Sequence, residues 1–339
     1  MKNHPELTYP STLLMSTEKK TCEALGKIAE TSGDTMLRLL EDPGTTKEWL
    51  IQNAQHTLNP KKKWILAIDD TLIAKAHSNF IAGTSDNFDS STRQIYRSLC
   101  TVVVMVTDGK SSVPIDHSLW INKEFADEQY KTKTELAIAL IPTIVKNLNI
   151  YCVAMDGLYA TKKMTGFFNN NKINFEMRIR SNSRIELQDK TSVILKEYFA
   201  TIMKGKRKDS STIKGFWNGE PAYFTAERYD EDTVVFLISN FQAAPQEHIK
   251  IYRMRWHIEK FFRTAKQRLG LKDCQSRKLV AQYNHILYVC VAYSLLQLER
   301  KSKKYKTPEE AHRRLRKKTY CDLIKHFSAP RQIFGVVYA

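Results

Sequence analysis

A row of cations around one carboxylate is the part of this sequence best suited to chemistry. Tyr252, Arg255, Glu259 and Lys266 are spaced so that, at about 100° per residue, all four fall within about 60° of arc on one helical face. Beside them Ile251, Met254, Ile258, Phe261, Phe262, Ala265 and Leu269 form an apolar stripe that predicts a helix pinned against a core. A carboxylate fixed on such a helix between cations suits a metal ion beside a phosphate-rich substrate, with Arg255 and Lys266 turned to the phosphates. The competing reading is plain. Glu259 with Arg255 and Arg263 also makes i,i+4 pairs, which on most helices only decorate the surface.

Two aspartates stand at the carboxyl ends of apolar runs, where open α/β sheets collect ligand sites. Asp70 follows Trp64-Ile65-Leu66-Ala67-Ile68, and Asp156 follows Tyr151-Cys152-Val153-Ala154-Met155. With Glu259 they offer three hard oxygen donors. That set suits two Mg²⁺ or Mn²⁺ ions that activate a water or hydroxyl and stabilise a leaving 3′ oxygen. Without cations, three ionised carboxylates at one place repel each other. Asp69 competes with Asp70 for the first position, because adjacent strand residues face opposite ways and one of them enters the site. Either aspartate has a structural alternative as a strand-end turn or a helix cap.

The elements that must position these groups are legible from periodicity. Thr17 to Leu58 reads as short helices broken at Ser32-Gly33-Asp34 and Asp42-Pro43-Gly44. Within it, Leu25 to Leu40 is patterned like a helix-turn-helix, which serves equally as a DNA reader or as an ordinary helical hairpin. From Lys63 the pattern turns to strands: the run into Asp69-Asp70, then Ile95 to Thr107 and Ser112 to Leu119 joined at Asp108-Gly109-Lys110. A helix over Thr132 to Leu148, a short strand into Asp156 and a helix over Thr161 to Asn170 follow. Asn174 to Asn240 is basic and β-leaning, with Phe216, Trp217, Tyr223 and Phe224. The last third is helical, over Pro245 to Leu269, Lys278 to Lys303 and Thr307 to Lys318. Strands followed by strand-helix alternation predict an α/β fold, a mixed sheet with helices on its faces.

Composition sets the partners. The chain has 339 residues, 42% hydrophobic, enough for a sizeable core, and a formal net charge of +17. With a pI near 9.5, that charge implies a polyanionic partner rather than an acidic small molecule. Basic residues cluster in Arg178 to Lys214, Lys250 to Lys278 and Arg300 to Lys318, with aromatics interleaved in the first two, as on a nucleic-acid surface. Six scattered cysteines without a C-x-x-C pair predict reduced, intracellular thiols, and the histidine spacing argues against a zinc site. No run of about 18 apolar residues predicts a membrane span, so the expected place is the cytoplasm.

The spacing Tyr252-x₂-Arg255-x₃-Glu259-x₆-Lys266, with Ile68-Asp69-Asp70-Thr71 and Asp156-Gly157-Leu158-Tyr159 before it, resembles the Y-R-E-K signature of bacterial insertion-sequence transposases of the DDE class. The likeness runs from about Lys63 to Tyr293. It implies a ribonuclease H-like catalytic domain over 61–173 and 242–303, interrupted by a β-rich insertion over 174–241. A helical N-terminal region over 1–60 and a C-terminal helical tail over 304–339 would flank it. By the same resemblance, Asp70, Asp156 and Glu259 are the catalytic, metal-binding carboxylates. Tyr252, Arg255, Lys266 and Arg263 contact DNA, and Trp217 of the insertion either holds a flipped base or packs in a core. The implied partners are the element's terminal inverted repeats, target DNA and a second copy of the chain in the synaptic complex, at the bacterial nucleoid. Other expectations are a DNA-binding descendant that no longer cuts, or a host ribonuclease H-like nuclease. In departure from the family pattern, the stretch before the first catalytic strand is short for a full end-recognition domain, and the chain stops soon after Phe334-Gly335.

Overall fold

Hydrophobic runs with no polar alternation become strands covered on both faces, and Trp64 to Ile68 and Tyr151 to Met155 are two such runs in this chain. The structure, a computed structural model, describes residues 5–42, 44, 46–76, 80–204, 209–229 and 233–328; Phe334 and Gly335 lie outside them. In chain order come α1 (Pro5–Met15), α2 (Cys22–Ile28), α3 (Gly33–Glu41) and α4 (Thr46–Thr57), then β1 (Trp64–Ala74), β2 (Ser85–Asp89), β3 (Gln94–Thr107) and β4 (Ser112–Trp120). Next are α5 (Lys123–Ala126), α6 (Lys133–Asn147), β5 (Ile150–Met155), α7 (Lys162–Asn170) and β6 (Phe175–Arg178). β7 (Arg184–Leu187), β8 (Ser192–Ile194), α8 (Leu195–Ile202), β9 (Ser210–Trp217), β10 (Glu220–Arg228) and β11 (Val234–Ser239) follow. The chain continues through α9 (Pro245–Met254), α10 (Trp256–Gln267), α11 (Leu279–Lys303), α12 (Pro308–Leu315) and α13 (Tyr320–Ser328). This is a mixed α/β architecture consistent with a ribonuclease H-like fold.

Two compact units divide the chain, one of Met1–Lys62, Asp70–Leu148 and Ile258–Ala339, the other of Lys63–Asp69 and Asn149–His257. In the second unit, the first residues of β1 run parallel to β5, and β5 runs parallel to β6. β6 is antiparallel to β11, which continues through β10 and β9 to β7 and β8. Thus β6, inside the stretch expected as an insertion, extends the parallel strands. Ile65, Cys152, Ala154 and Ile251 form one core cluster, and Leu237, Ile249 and Tyr252 another, so α9 is held to the sheet by the apolar stripe that its period encodes. Asn218 and Gly219 join β9 to β10 with φ of 54° and 86°, the left-handed pair that a two-residue hairpin of strand-matching twist requires. α8 breaks the β-leaning run because Leu195 and Phe199, four apart, bury one helical face.

In the first unit β3 is antiparallel to β2 over Gln94 to Ser98 and to β4 over Cys100 to Thr107, with Val102 to Val106 buried. α6 packs on β3 and β4, and α11 on β4, α1, α3, α4 and α12. α11 is long and apolar enough to cross a membrane, yet 83% of its most apolar window is buried within the protein. Its apolar surface is consumed by protein contacts, as in the core helix of a globular fold. The expectation of helices starting at Thr17 omits α1, whose internal Pro10 disguises it. Its Tyr9 stacks on Tyr288 of α11 and meets His285 at 3.0 Å. β2 was equally hidden, since Ser85-Asp86-Asn87-Phe88-Asp89 has a loop's composition. The α2–α3 hairpin forms as the helix-turn-helix pattern requires. Gly26 is needed there: a Cβ on it would lie 2.9 Å from the backbone of Thr31 and Ser32.

Candidate functional site

The register of β1 and β5 brings an acid inside β1 alongside one that follows β5. Ile68 pairs with Met155, so Asp69 and Asp156 are the next residues on neighbouring parallel strands. Asp156 precedes a single 3₁₀ turn, Gly157–Tyr159, but its side chain makes no capping hydrogen bond to it. Instead Asp156 Oδ1 accepts from the Tyr252 hydroxyl at 3.4 Å. The capping role open to any strand-end aspartate is therefore not the one taken here. Burial pushes the Tyr252 phenol up to about 12; Arg255 opposes the shift and Asp156 adds to it, so the hydroxyl keeps its proton and acts as a donor.

Asp69 has a different fate. Its Oδ2 accepts from Arg255 Nη1 at 2.6 Å, with the two side chains only 19% and 8% exposed. The guanidinium also lies over the Tyr252 ring, 5.5 Å from its centroid. The signature arginine and tyrosine are thus both buried, and Arg255 is engaged with the strand rather than turned to solvent. Nor is the signature carried by one uninterrupted helix. α9 ends at Met254 and α10 begins at Trp256, because the Arg255 amide bonds Tyr252 three residues back, tightening the turn.

In the first unit, Asp70 Oδ2 accepts from Lys133 Nζ at 2.6 Å and from Cys100 Sγ at 3.6 Å. Burial pushes the Cys100 thiol up to about 12, helped by the Asp70 charge, which keeps it a neutral donor. Burial pulls the Lys133 ammonium down, but Cys100 and Asp70 outweigh it and hold the pKa above its ordinary value. Lys133 was not singled out from sequence. It had a signal: it opens α6, directly after the N-cap Thr132 and within the capping box that Thr132 makes with Glu135, where the helix dipole favours an anion. A cation at that position needs an acidic partner, and Asp70 supplies it.

Glu259 is half-buried in the first turn of α10, while Arg263 and Lys266 are exposed on the same helix. Although Lys266 reaches solvent, its surroundings desolvate the ammonium and lower its pKa, against the pull of Asp89 and Cys100. Trp217 is half-buried at the β9 end of the hairpin, opposite Glu220. Among the described residues, neither unit by itself groups three His, Cys, Asp or Glu side chains as a metal site. The signature carboxylates are divided, Asp70 and Glu259 in the first unit and Asp156 in the second.

A family model described as "Transposase DDE domain" matches residues 60–295. Comparison with curated proteins gives no match.

Proposed function

This chain belongs to the transposase DDE-domain family and is a DNA transposase of the insertion-sequence kind, and we propose that Asp70, Asp156 and Glu259 are its catalytic carboxylates. The observation that carries the assignment is the Ile68–Met155 register, which sets acidic residues side by side just past the parallel pairing of β1 with β5. The donor set fits a hard divalent cation: all three groups are carboxylates, and Asp70 already attracts an ammonium to 2.6 Å. These residues would hold two Mg²⁺ or Mn²⁺ ions, which when bound supply Lewis acidity at the scissile phosphate.

The remaining roles belong to the chain itself. Tyr252 orients the Asp156 carboxylate through its hydroxyl. Arg255 acts through Asp69, fixing the strand from which Asp70 projects. Lys133 gives Asp70 a counter-charge. Arg263 and Lys266, both exposed, contact DNA phosphates. Trp217, beside the tight β9–β10 turn, stacks on an unpaired base at the cleaved end. The substrates are the element's terminal inverted repeats and target DNA, processed by a pair of chains in the cytoplasm at the nucleoid.

The test is cleavage of an inverted-repeat duplex with a divalent metal. Asp70→Ala, Asp156→Ala and Glu259→Ala should each lose cutting and keep DNA binding; cutting retained by all three overturns the assignment. Joining of a pre-cut 3′ end to plasmid DNA distinguishes a transposase from a nuclease of the same fold.

A further inference from the structure

A second feature of the first unit lies outside the signature. A cleft of about 510 Å³ opens where β1 ends, lined by Lys19, Lys75, Ile81, Lys272, Asp273 and Cys274, among others. Three lysines face it with a single carboxylate, and that carboxylate is already engaged, since Asp273 Oδ2 accepts from the Lys20 amide at 3.1 Å. Lys75 is 6% exposed. Its ammonium donates to two neutral acceptors, the carbonyls of Cys274 at 2.7 Å and Lys272 at 3.1 Å. Among the described residues the third N–H has no protein acceptor, and no carboxylate pairs with this lysine. A buried ammonium held only by carbonyls remains electrostatically under-compensated. Burial pulls Lys75 down to about 8; Cys274 and Asp273 oppose the shift, whereas Lys19 adds to it, so these like charges act on each other. Two lysines that repel across a cleft are brought to rest by an anion between them.

Resting on the transposase reading, we propose that this cleft binds a backbone phosphate of the DNA substrate, with Lys75 donating from the floor and Lys19 and Lys272 closing from the rim. The apolar wall at Ile81 and Ala74 faces the adjoining sugar. Its place in the chain suits this. Lys75 lies five residues beyond Asp70, about 16 Å at strand spacing, and Lys272 follows the helix bearing Glu259 and Lys266. At about 3.4 Å per base step, the phosphate held there lies roughly five steps from the cut.

The rim lysines are exposed, so Lys19→Ala with Lys272→Ala leaves the core intact and gives a clean measurement. Binding of a duplex carrying the terminal repeat should show a slope of log affinity against log salt smaller by about 1.8, two phosphate contacts' worth. In the wild-type protein, reductive methylation of Lys19 and Lys272 should be suppressed by that duplex, while Lys27 on α2 stays reactive. An unchanged slope, or methylation indifferent to bound DNA, in a protein that still binds and cuts the duplex, overturns the cleft and leaves the transposase reading standing. A wild-type protein that neither binds nor cuts the duplex overturns both.

Discussion

Asp69 and Asp70 are neighbours on one strand, yet they answer to different partners. Asp69 is tied to a buried arginine that reaches it across 186 residues of sequence. Asp70 is held by a lysine 63 residues away, in a pair with side chains 27% and 16% exposed. The alternation of a strand separates them. One face gives a carboxylate to the architecture, and the other offers a carboxylate held by a removable cation. Two adjacent acids thus differ in partner, one closed on a buried arginine and the other, the catalytic acid of our proposal, on a lysine, a distinction that residue type does not reveal.

That contrast can be broken most sharply by substitution at each position. Asp70→Asn should abolish duplex cleavage while costing no more than about 1 kcal/mol in urea unfolding. Asp69→Asn or Arg255→Met, by breaking a buried pair held at 2.6 Å, should cost about 3–5 kcal/mol in urea unfolding. If Asp69→Asn is as stable as wild type and Asp70→Asn unfolds, the two roles are reversed. Lys133→Met sharpens the comparison: the pair is less enclosed, and its loss should cost on the order of 1 kcal/mol.

A pH series separates a fixed charge pair from a titrating one. Glu176 of β6 and His248 of α9 are both fully buried and 2.6 Å apart. Burial raises the Glu176 pKa from 4.5 to about 7, with His248 opposing. The folded state therefore binds this proton more tightly than the unfolded chain does. The stability it contributes is complete below pH 4.5 and is lost as pH rises through about 7. Urea unfolding across that window should reveal the loss in wild type and a flatter profile in Glu176→Gln, whereas Arg255→Met should keep the slope. The smallest effect belongs to the exposed helix: Lys266→Ala should lower the salt slope of DNA binding by about one, with unfolding unchanged.

Much of the fold was legible because period and composition act locally. The runs at β1 and β5 read as buried strands because both faces are covered, and the helix expected over Thr132 to Leu148 forms as α6. α1 and β2 were not legible, since Pro10 and the polar string at Ser85 carry local signals opposite to what tertiary packing imposes. At the site, the signature residues were found by their spacing. Lys133 was missed because its place at a helix start calls for an acid without saying which, and Cys100 because nothing near it in sequence points to Asp70.

By itself, the sequence determined which residues could do the chemistry, which apolar runs lead into acids and that a strongly basic chain suits a polyanion. Those are properties of spacing, burial period and summed charge, all of which survive without a fold. Only tertiary structure decided that Arg255 closes on Asp69, that Lys133 meets Asp70 and that Tyr252 orients Asp156. Strand alternation leaves two outcomes open at each position, and the choice between them is made by partners brought close only when the chain folds.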